Sequence, residues 1–265
     1  MPGGQAAGGV GSGIVEKGLI SVSLGTSGVV FAHLEDVFVN TQGRLHTFCY
    51  AVLGKWHIMG VMLSAGGSFR WLRDTFFDKD VPYNEMTDMA GNVPAGSEGL
   101  VFLPYLTGER CPYPDPDARG VFFGISLKHK KEHFVRAVME GVAFGLKDSI
   151  RIMKEIGVPE GKKFRVTGKG AKSGFWCKMM TDIFGGYTVK FKVEEGPSFG
   201  AAVLTEIGVG MYSDVKTACK KLVKEKEGLF EPDRATAEIY EKFYILYGKL
   251  YQNLKGVFDN LAKIS

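Results

Sequence analysis

Residues 19–32 read Leu19-Ile20-Ser21-Val22-Ser23-Leu24-Gly25-Thr26-Ser27-Gly28-Val29-Val30-Phe31-Ala32. Two β-rich runs, Leu19–Ser23 and Gly28–Ala32, flank the turn Leu24–Ser27, the pattern of a hairpin. His46–Val52 and Trp56–Leu63 read as two further strands around Leu53-Gly54-Lys55. The chain therefore opens as an antiparallel meander, and a helix is expected from Ser68 to Phe77.

The second half has a different rhythm. After Leu100–Leu106, a loop with three prolines between Pro112 and Pro116, and the apolar run Gly120–Ser126, the clearest helix begins. Over Lys131–Ile156, apolar residues such as Phe134, Val138, Val142, Leu146, Ile150 and Met153 recur at helical spacing. Arg136, Glu140, Lys147, Arg151 and Lys154 fill the opposite side, and Gly157 and Pro159 supply the stop. Strand Lys163–Thr167, helix Phe175–Phe184, strand Thr188–Val193 and helix Phe199–Ile207 then alternate, which implies parallel pairing with a right-handed crossover. A last helix spans about Ala235–Ala262. Antiparallel strands followed by βα units make one α/β domain with a mixed sheet. The proline-rich loop is expected on the surface.

Composition narrows the class. The 265 residues are 45% hydrophobic and 23% charged, with a net charge of +4 and scattered Lys and Arg. This is ordinary globular usage, so neither nucleic acid nor a membrane surface is an expected partner. Cys49, Cys111, Cys177 and Cys219 have no metal-ligand spacing. Cys49, Cys177 and Cys219 are expected to be buried thiols. No signal peptide opens the chain and no apolar run is long enough for a membrane helix, so a cytoplasmic location is expected.

Three glycine-rich turns carry the candidate chemistry. Gly25-Thr26-Ser27 in the hairpin offers successive amides and two hydroxyls to phosphate oxygens, or is a plain turn. Ser64-Ala65-Gly66-Gly67-Ser68 leads from a strand into a helix, where an anion site or an ordinary cap fits. Thr167-Gly168-Lys169-Gly170-Ala171-Lys172-Ser173 does the same later. Its Gly168-x-Gly170-x-x-Ser173 spacing, with Glu194 and Glu195 after the next strand, imitates a dinucleotide fingerprint. The antiparallel opening argues against that fold, and no Walker A sequence occurs. A nucleotide remains the expected ligand, with an NAD-dependent dehydrogenase as the distant competitor.

This order of elements is the ribonuclease-H-like plan of actin-type ATPases, with helices on both faces of the sheet. Within it, GSGIV at 11–15, SVSLGTSGVVF at 21–31, HTFC at 46–49 and MGVMLSAGGS at 59–68 resemble the FGGY carbohydrate-kinase family, on its xylulokinase branch. So do LPYLTGER at 103–110, DARG at 117–120, TGKGAKS at 167–173 and GPSFGAA at 196–202. The resemblance covers nearly the whole chain in order.

It implies phosphoryl transfer from Mg-ATP to a ketopentose, D-xylulose to xylulose 5-phosphate, by positioning and electrostatic stabilisation. It implies that Gly25, Thr26 and Ser27 meet the β- and γ-phosphates and that Gly66 and Gly67 form a second phosphate contact. Gly170 and Ala171, with Ser173 nearby, become the floor of the adenosine pocket. ATP and Mg2+ are the implied cofactors, and no metal ligand is assigned to a residue here. Lys169 stands where the family has glycine. Residues 103–120 lie near the cleft, and Glu109 with Arg110 is read equally well as a structural ion pair. Family members also carry a sugar-binding N-terminal domain, and the whole chain reads as the C-terminal nucleotide-binding half. The family's general-base Asp precedes a Gln matched by Gln5, so its position falls on Gly4, which accepts no proton. The expected partners are adenine nucleotide and, only with the N-terminal domain, the sugar, with a homodimer or a partner half as the assembly. The alternative reading is a non-catalytic nucleotide-binding module that pairs with a separately encoded sugar-binding half.

Overall fold

The computed structural model describes residues 4–159, 162–193 and 196–264. Helix α1 (Gly4–Gly11) leads into the hairpin strands β1 (Ile20–Leu24) and β2 (Gly28–Leu34). Strands β3 (His46–Cys49) and β4 (Trp56–Met62) follow, then helices α2 (Gly66–Phe76) and α3 (Tyr83–Gly91). A two-stranded sheet of β5 (Val101–Leu103) and β6 (Val121–Phe123) precedes the long α4 (Lys131–Glu155). Strand β7 (Lys163–Thr167), helix α5 (Gly174–Phe184), strand β8 (Tyr187–Val189) and helices α6 (Gly196–Gly208), α7 (Val215–Leu222) and α8 (Arg234–Ala262) complete the chain.

The main sheet has the order β3-β4-β2-β1-β7-β8. Its first four strands pair antiparallel, whereas β7 runs parallel to β1 and β8 parallel to β7. This is the mixed α/β sheet expected, but the opening is no simple meander. β4 sits between β2 and β3, in register with all seven β2 residues from Gly28↔Met62 to Leu34↔Trp56. Burial explains the swap. β4 is long enough to cover β2 and is largely buried, whereas the four-residue β3 is half exposed and suits an edge.

Helices cover both faces. On one side Val22, Val30, Ile58 and Met62 pack with α2, α4, α5 and α8 around Leu72, Val142, Leu146, Met180 and Tyr247. On the other, Val29 and Phe31 pack with Val10 of α1, Val203 of α6 and Cys219 of α7. The mixed core is a direct reading of strand alternation: Val30 faces one layer and Phe31 the other.

Four sequence expectations change here. Arg136 and Glu140, opposite the apolar stripe of α4, are buried, because residues 90–97 and Tyr240 of α8 close over that side of the helix. Arg136 Nε donates to Glu140 at 2.8 Å and its Nη2 to the Tyr240 hydroxyl at 2.7 Å, while Glu140 accepts from Gly96 N and Ser97 Oγ. Cys49 is exposed, at the edge strand; Cys111, Cys177 and Cys219 are buried. The proline-rich loop is partly interior, with Glu109, Cys111, Asp115 and Ala118 buried. Helices α1, α3 and α7 are additional to the expected elements.

Candidate phosphate-binding site

Strand directions place the three glycine turns on one edge of the sheet. The carboxyl ends of β1, β4 and β7 and the amino end of β2 all lie there, as the pairs Leu24↔Gly28, Gly28↔Met62 and Ser23↔Thr167 require. Ligands of open α/β sheets bind at this kind of edge, where strand order reverses.

The turns are fastened to one another by main-chain contacts. Gly66 N donates to Gly25 O at 2.8 Å, Gly67 N to Thr26 O at 2.9 Å and Ala65 N to Thr26 O at 3.0 Å. A Cβ on Gly66 would lie 2.5 Å from Gly25 O, so only glycine allows the approach. The third turn meets the same point. Cβ atoms at Gly168 and Gly170 would fall 2.6 Å from Leu24 O and 2.4 Å from Leu24 Cδ2. Gly168 also has φ +89°, a conformation that glycine adopts freely. Lys169 has no positive φ, so a side chain is accommodated where the resemblance places a glycine.

This geometry reassigns Gly66 and Gly67. Their amides, expected to face a phosphate at the start of α2, are already engaged by the hairpin carbonyls. The donors that remain belong to the hairpin. Thr26 is exposed, and neither its amide, its hydroxyl nor the Ser27 amide has a hydrogen-bond partner among the described residues. Ser27 Oγ is occupied, donating to Leu63 O at 3.2 Å. The donors left over at this edge are therefore those of Thr26 and the Ser27 amide, backed by glycines that hold the hairpin in place.

The third turn bounds a cleft of about 290 Å³ lined by Val166, Thr167, Gly168, Lys169, Ala171, Lys172, Lys190 and Phe191. Three lysines around one opening favour an anionic occupant. Ser173 caps α5, accepting from Trp176 N at 3.2 Å, and the Ala171 amide bonds Gly168 O at 3.1 Å. Ala171 and Ser173 therefore shape the wall through their own hydrogen bonds. Lys190 was not anticipated from the sequence. Its place just after a parallel strand, on the ligand edge, is the signal that would have found it. Glu194 and Glu195 lie outside the described residues, so the dinucleotide reading gains no support from them.

Comparison with known proteins matches this arrangement to a family. The model of the FGGY family of carbohydrate kinases, C-terminal domain, matches residues 20–208. The chain belongs to that family. A xylulose kinase of Staphylococcus epidermidis is 38% identical over 263 residues, covering 99% of this chain and 52% of that protein. A gluconokinase of Bacillus subtilis is 36% identical, covering 94% of this chain and 50% of that protein. The ligand-bound xylulose kinase structure from Lactobacillus acidophilus superposes with a TM-score of 0.87 at 27% identity, over 96% of this chain and 51% of that one. The chain spans about half the length of the curated relatives it matches.

Three other features of this FGGY domain bear on chemistry. Gly4 is exposed at the start of α1, and a Cβ there would meet nothing within 4 Å. Glu109 forms no ion pair with Arg110 among the described residues. Its Oε1 instead accepts from Leu63 N at 2.9 Å and Arg110 N at 2.8 Å, while burial pushes its pKa up to about 7 against the pull of those amides. Asp115, Asp117 and Asp259 bring carboxylate oxygens within 4.8 Å of one another. Asp115 already accepts from Asp117 N, Ala118 N and the Tyr251 hydroxyl, which makes it a turn-building residue.

Proposed function

We propose that this domain is the nucleotide-binding half of an ATP-dependent sugar kinase, with a ketopentose such as D-xylulose as the acceptor. The observation that carries the reading is the set of donors at the exposed Thr26 and the Ser27 amide, unpartnered among the described residues and held by two glycine turns at the ligand edge of the sheet. The neighbouring cleft is assigned to adenosine, with Gly168 and Ala171 in its wall and Lys169, Lys172 and Lys190 around its mouth; Gly170, packed against Leu24, supports it from behind. Oriented amides and lysines oppose the charge of the β- and γ-phosphates, which is most of what a protein contributes to phosphoryl transfer. Bound Mg2+ would neutralise part of that charge; the donor set here is complementary to phosphate oxygens, and no protein ligand for the ion is assigned.

The acceptor hydroxyl needs a general base within hydrogen-bond reach. Gly4 supplies none, and the family resemblance assigns the sugar site to the other half of the longer kinases. The 265-residue polypeptide therefore binds adenine nucleotide and, by itself, transfers no phosphate. The similarity to a gluconokinase favours a second acceptor, gluconate, on the same nucleotide half.

Calorimetric titration with ATP, adenosine and NADH, followed by phosphoryl-transfer assays on D-xylulose and D-gluconate, tests this. ATP binding stronger than adenosine binding, no NADH binding and no transfer are expected. Binding of NADH in place of ATP, or efficient turnover of either sugar by this polypeptide, would overturn it.

A further inference from the structure

The 103–120 segment meets the glycine turns through one buried side chain. Glu109 is only 3% exposed. Its Oε1 holds the amide of Leu63, the last residue before the β4–α2 turn, and the carbonyl of the same Leu63 accepts the Ser27 hydroxyl. Leu63 is thus gripped from one side by Glu109 and from the other by the hairpin. A parallel tie runs beside it, Ser64 Oγ to Thr107 Oγ1 at 3.1 Å.

Behind Glu109 the support is rigid. Its amide and carbonyl exchange hydrogen bonds with Asp115 at 2.8 and 3.0 Å, and the Asp115 carboxylate accepts from Tyr251 on α8 at 2.7 Å. Gly108, at φ +73°, lets this fold close; a Cβ would lie 2.8 Å from the Pro116 backbone. An unbroken chain of contacts therefore runs from α8 through Asp115, Glu109 and Leu63 to Ser27.

A carboxyl group is an expensive choice for this place. Burial opposes its ionisation, and Oε2 has no hydrogen-bond partner among the described residues. A plain packing position would be served better by an apolar side chain. What only an acceptor at this distance achieves is the fixing of the Leu63 amide.

We propose that Glu109 is a positioning residue for the phosphate cradle, holding the Leu63 end of the β4–α2 turn so that Thr26 and the Ser27 amide stay arranged for phosphate oxygens. The inference rests on the nucleotide reading above and adds to it a residue that touches no phosphate. Its effect is confined to the phosphate end of the ligand, and adenosine serves as the internal control.

The test compares affinities for ATP and adenosine in the wild-type chain and in Glu109→Leu, Glu109→Asp and Glu109→Gln. In Glu109→Leu, ATP binding weakens about tenfold or more while adenosine binding stays within about twofold, corresponding to about 1.4 kcal/mol lost at the phosphate end alone. Glu109→Asp, whose shorter side chain withdraws from Leu63, shows the same selective loss, and remains informative where the Leu variant does not fold. Glu109→Gln, whose amide oxygen accepts the same N–H, restores the preference for ATP. An unchanged ATP-to-adenosine ratio in Leu and Asp variants, a parallel loss of both ligands, or a Gln variant no better than Asp would overturn the role of Glu109. A wild-type chain that binds neither ligand would overturn the nucleotide reading first, and this inference with it.

Discussion

Two regions of the domain are built on glycine, and they use it in opposite ways. At the carboxyl edge of the sheet, Gly25, Gly66, Gly67, Gly168 and Gly170 let three turns meet backbone to backbone, and unpartnered donors remain at Thr26 and Ser27. On the far face, Gly11 of α1 and Gly200 of α6 let two helices touch. Cβ atoms there would fall 2.0 Å from Gly196 O and 1.8 Å from Ala7 O. Among the described residues that contact is apolar and closed: Ala6, Val10 and Val203 pack around it. The difference lies in what surrounds the glycine. A glycine between a strand and its next element brings chain ends together and leaves amides over. Inside a helix the amides are already spent within the helix, and the gain is only proximity.

Substitutions should separate the two regions. The largest effect is expected from Gly200→Val, which forces α1 and α6 apart. A loss of about 3 kcal/mol in unfolding free energy, measured by denaturant titration, should come with an unchanged ratio of ATP to adenosine affinity. A ratio that collapses in this variant would link the regions the account keeps separate.

Next comes the pH profile of stability, which probes the strut behind the site. Glu109 has a folded pKa of about 7 against 4.5 for the ordinary group. The folded state thus holds the proton more tightly, so its contribution is greatest below pH 4.5 and falls as pH rises to about 7. Over that window the loss is about 3 kcal/mol at most. Its neighbours Cys111, pushed up to about 12, and Tyr247, raised well above the ordinary phenol, do not titrate there. Glu109→Gln should therefore flatten the wild-type decline in Tm between pH 4.5 and 7. Superimposable profiles would contradict the burial of an ionisable group at this position.

Gly66→Ala should have a smaller but more selective effect. The added methyl presses on Gly25 O and displaces the hairpin, at a cost of about 1–2 kcal/mol in stability. ATP affinity should fall by roughly the same free energy, while adenosine affinity holds. Smallest of all is Gly4→Asp. With open space around the added side chain, melting temperature and nucleotide affinity should both match wild type. A marked change in either would mean that the start of α1 is packed more tightly than its geometry shows.

The sequence made the hairpin, the order of antiparallel then parallel strands, and the three turns legible, because each depends on local patterns: alternation, helical spacing and glycine between elements. It misled where a distant element decides. Arg136 and Glu140 stand opposite the apolar stripe of α4, and it takes residues 90–97 and Tyr240 of α8 to bury them. The order of β3 and β4 depends on which strand best covers β2, and no local signal reveals that. Gly66 and Gly67 look like free anion donors until the hairpin carbonyls take their amides. Helix α1 escaped notice because GQAAGGVG is poor in helix formers and is held by its fit to α6.

The most direct test of the central claim follows backbone amide resonances in an isotopically labelled chain during titration with ADP. The account predicts large shifts at Thr26 and Ser27, smaller ones at Gly66, Gly67 and Gly170, and none at Gly8, Gly11 or Gly200. Shifts centred on the α1–α6 contact, or a hairpin that stays silent while nucleotide binds elsewhere, would contradict it.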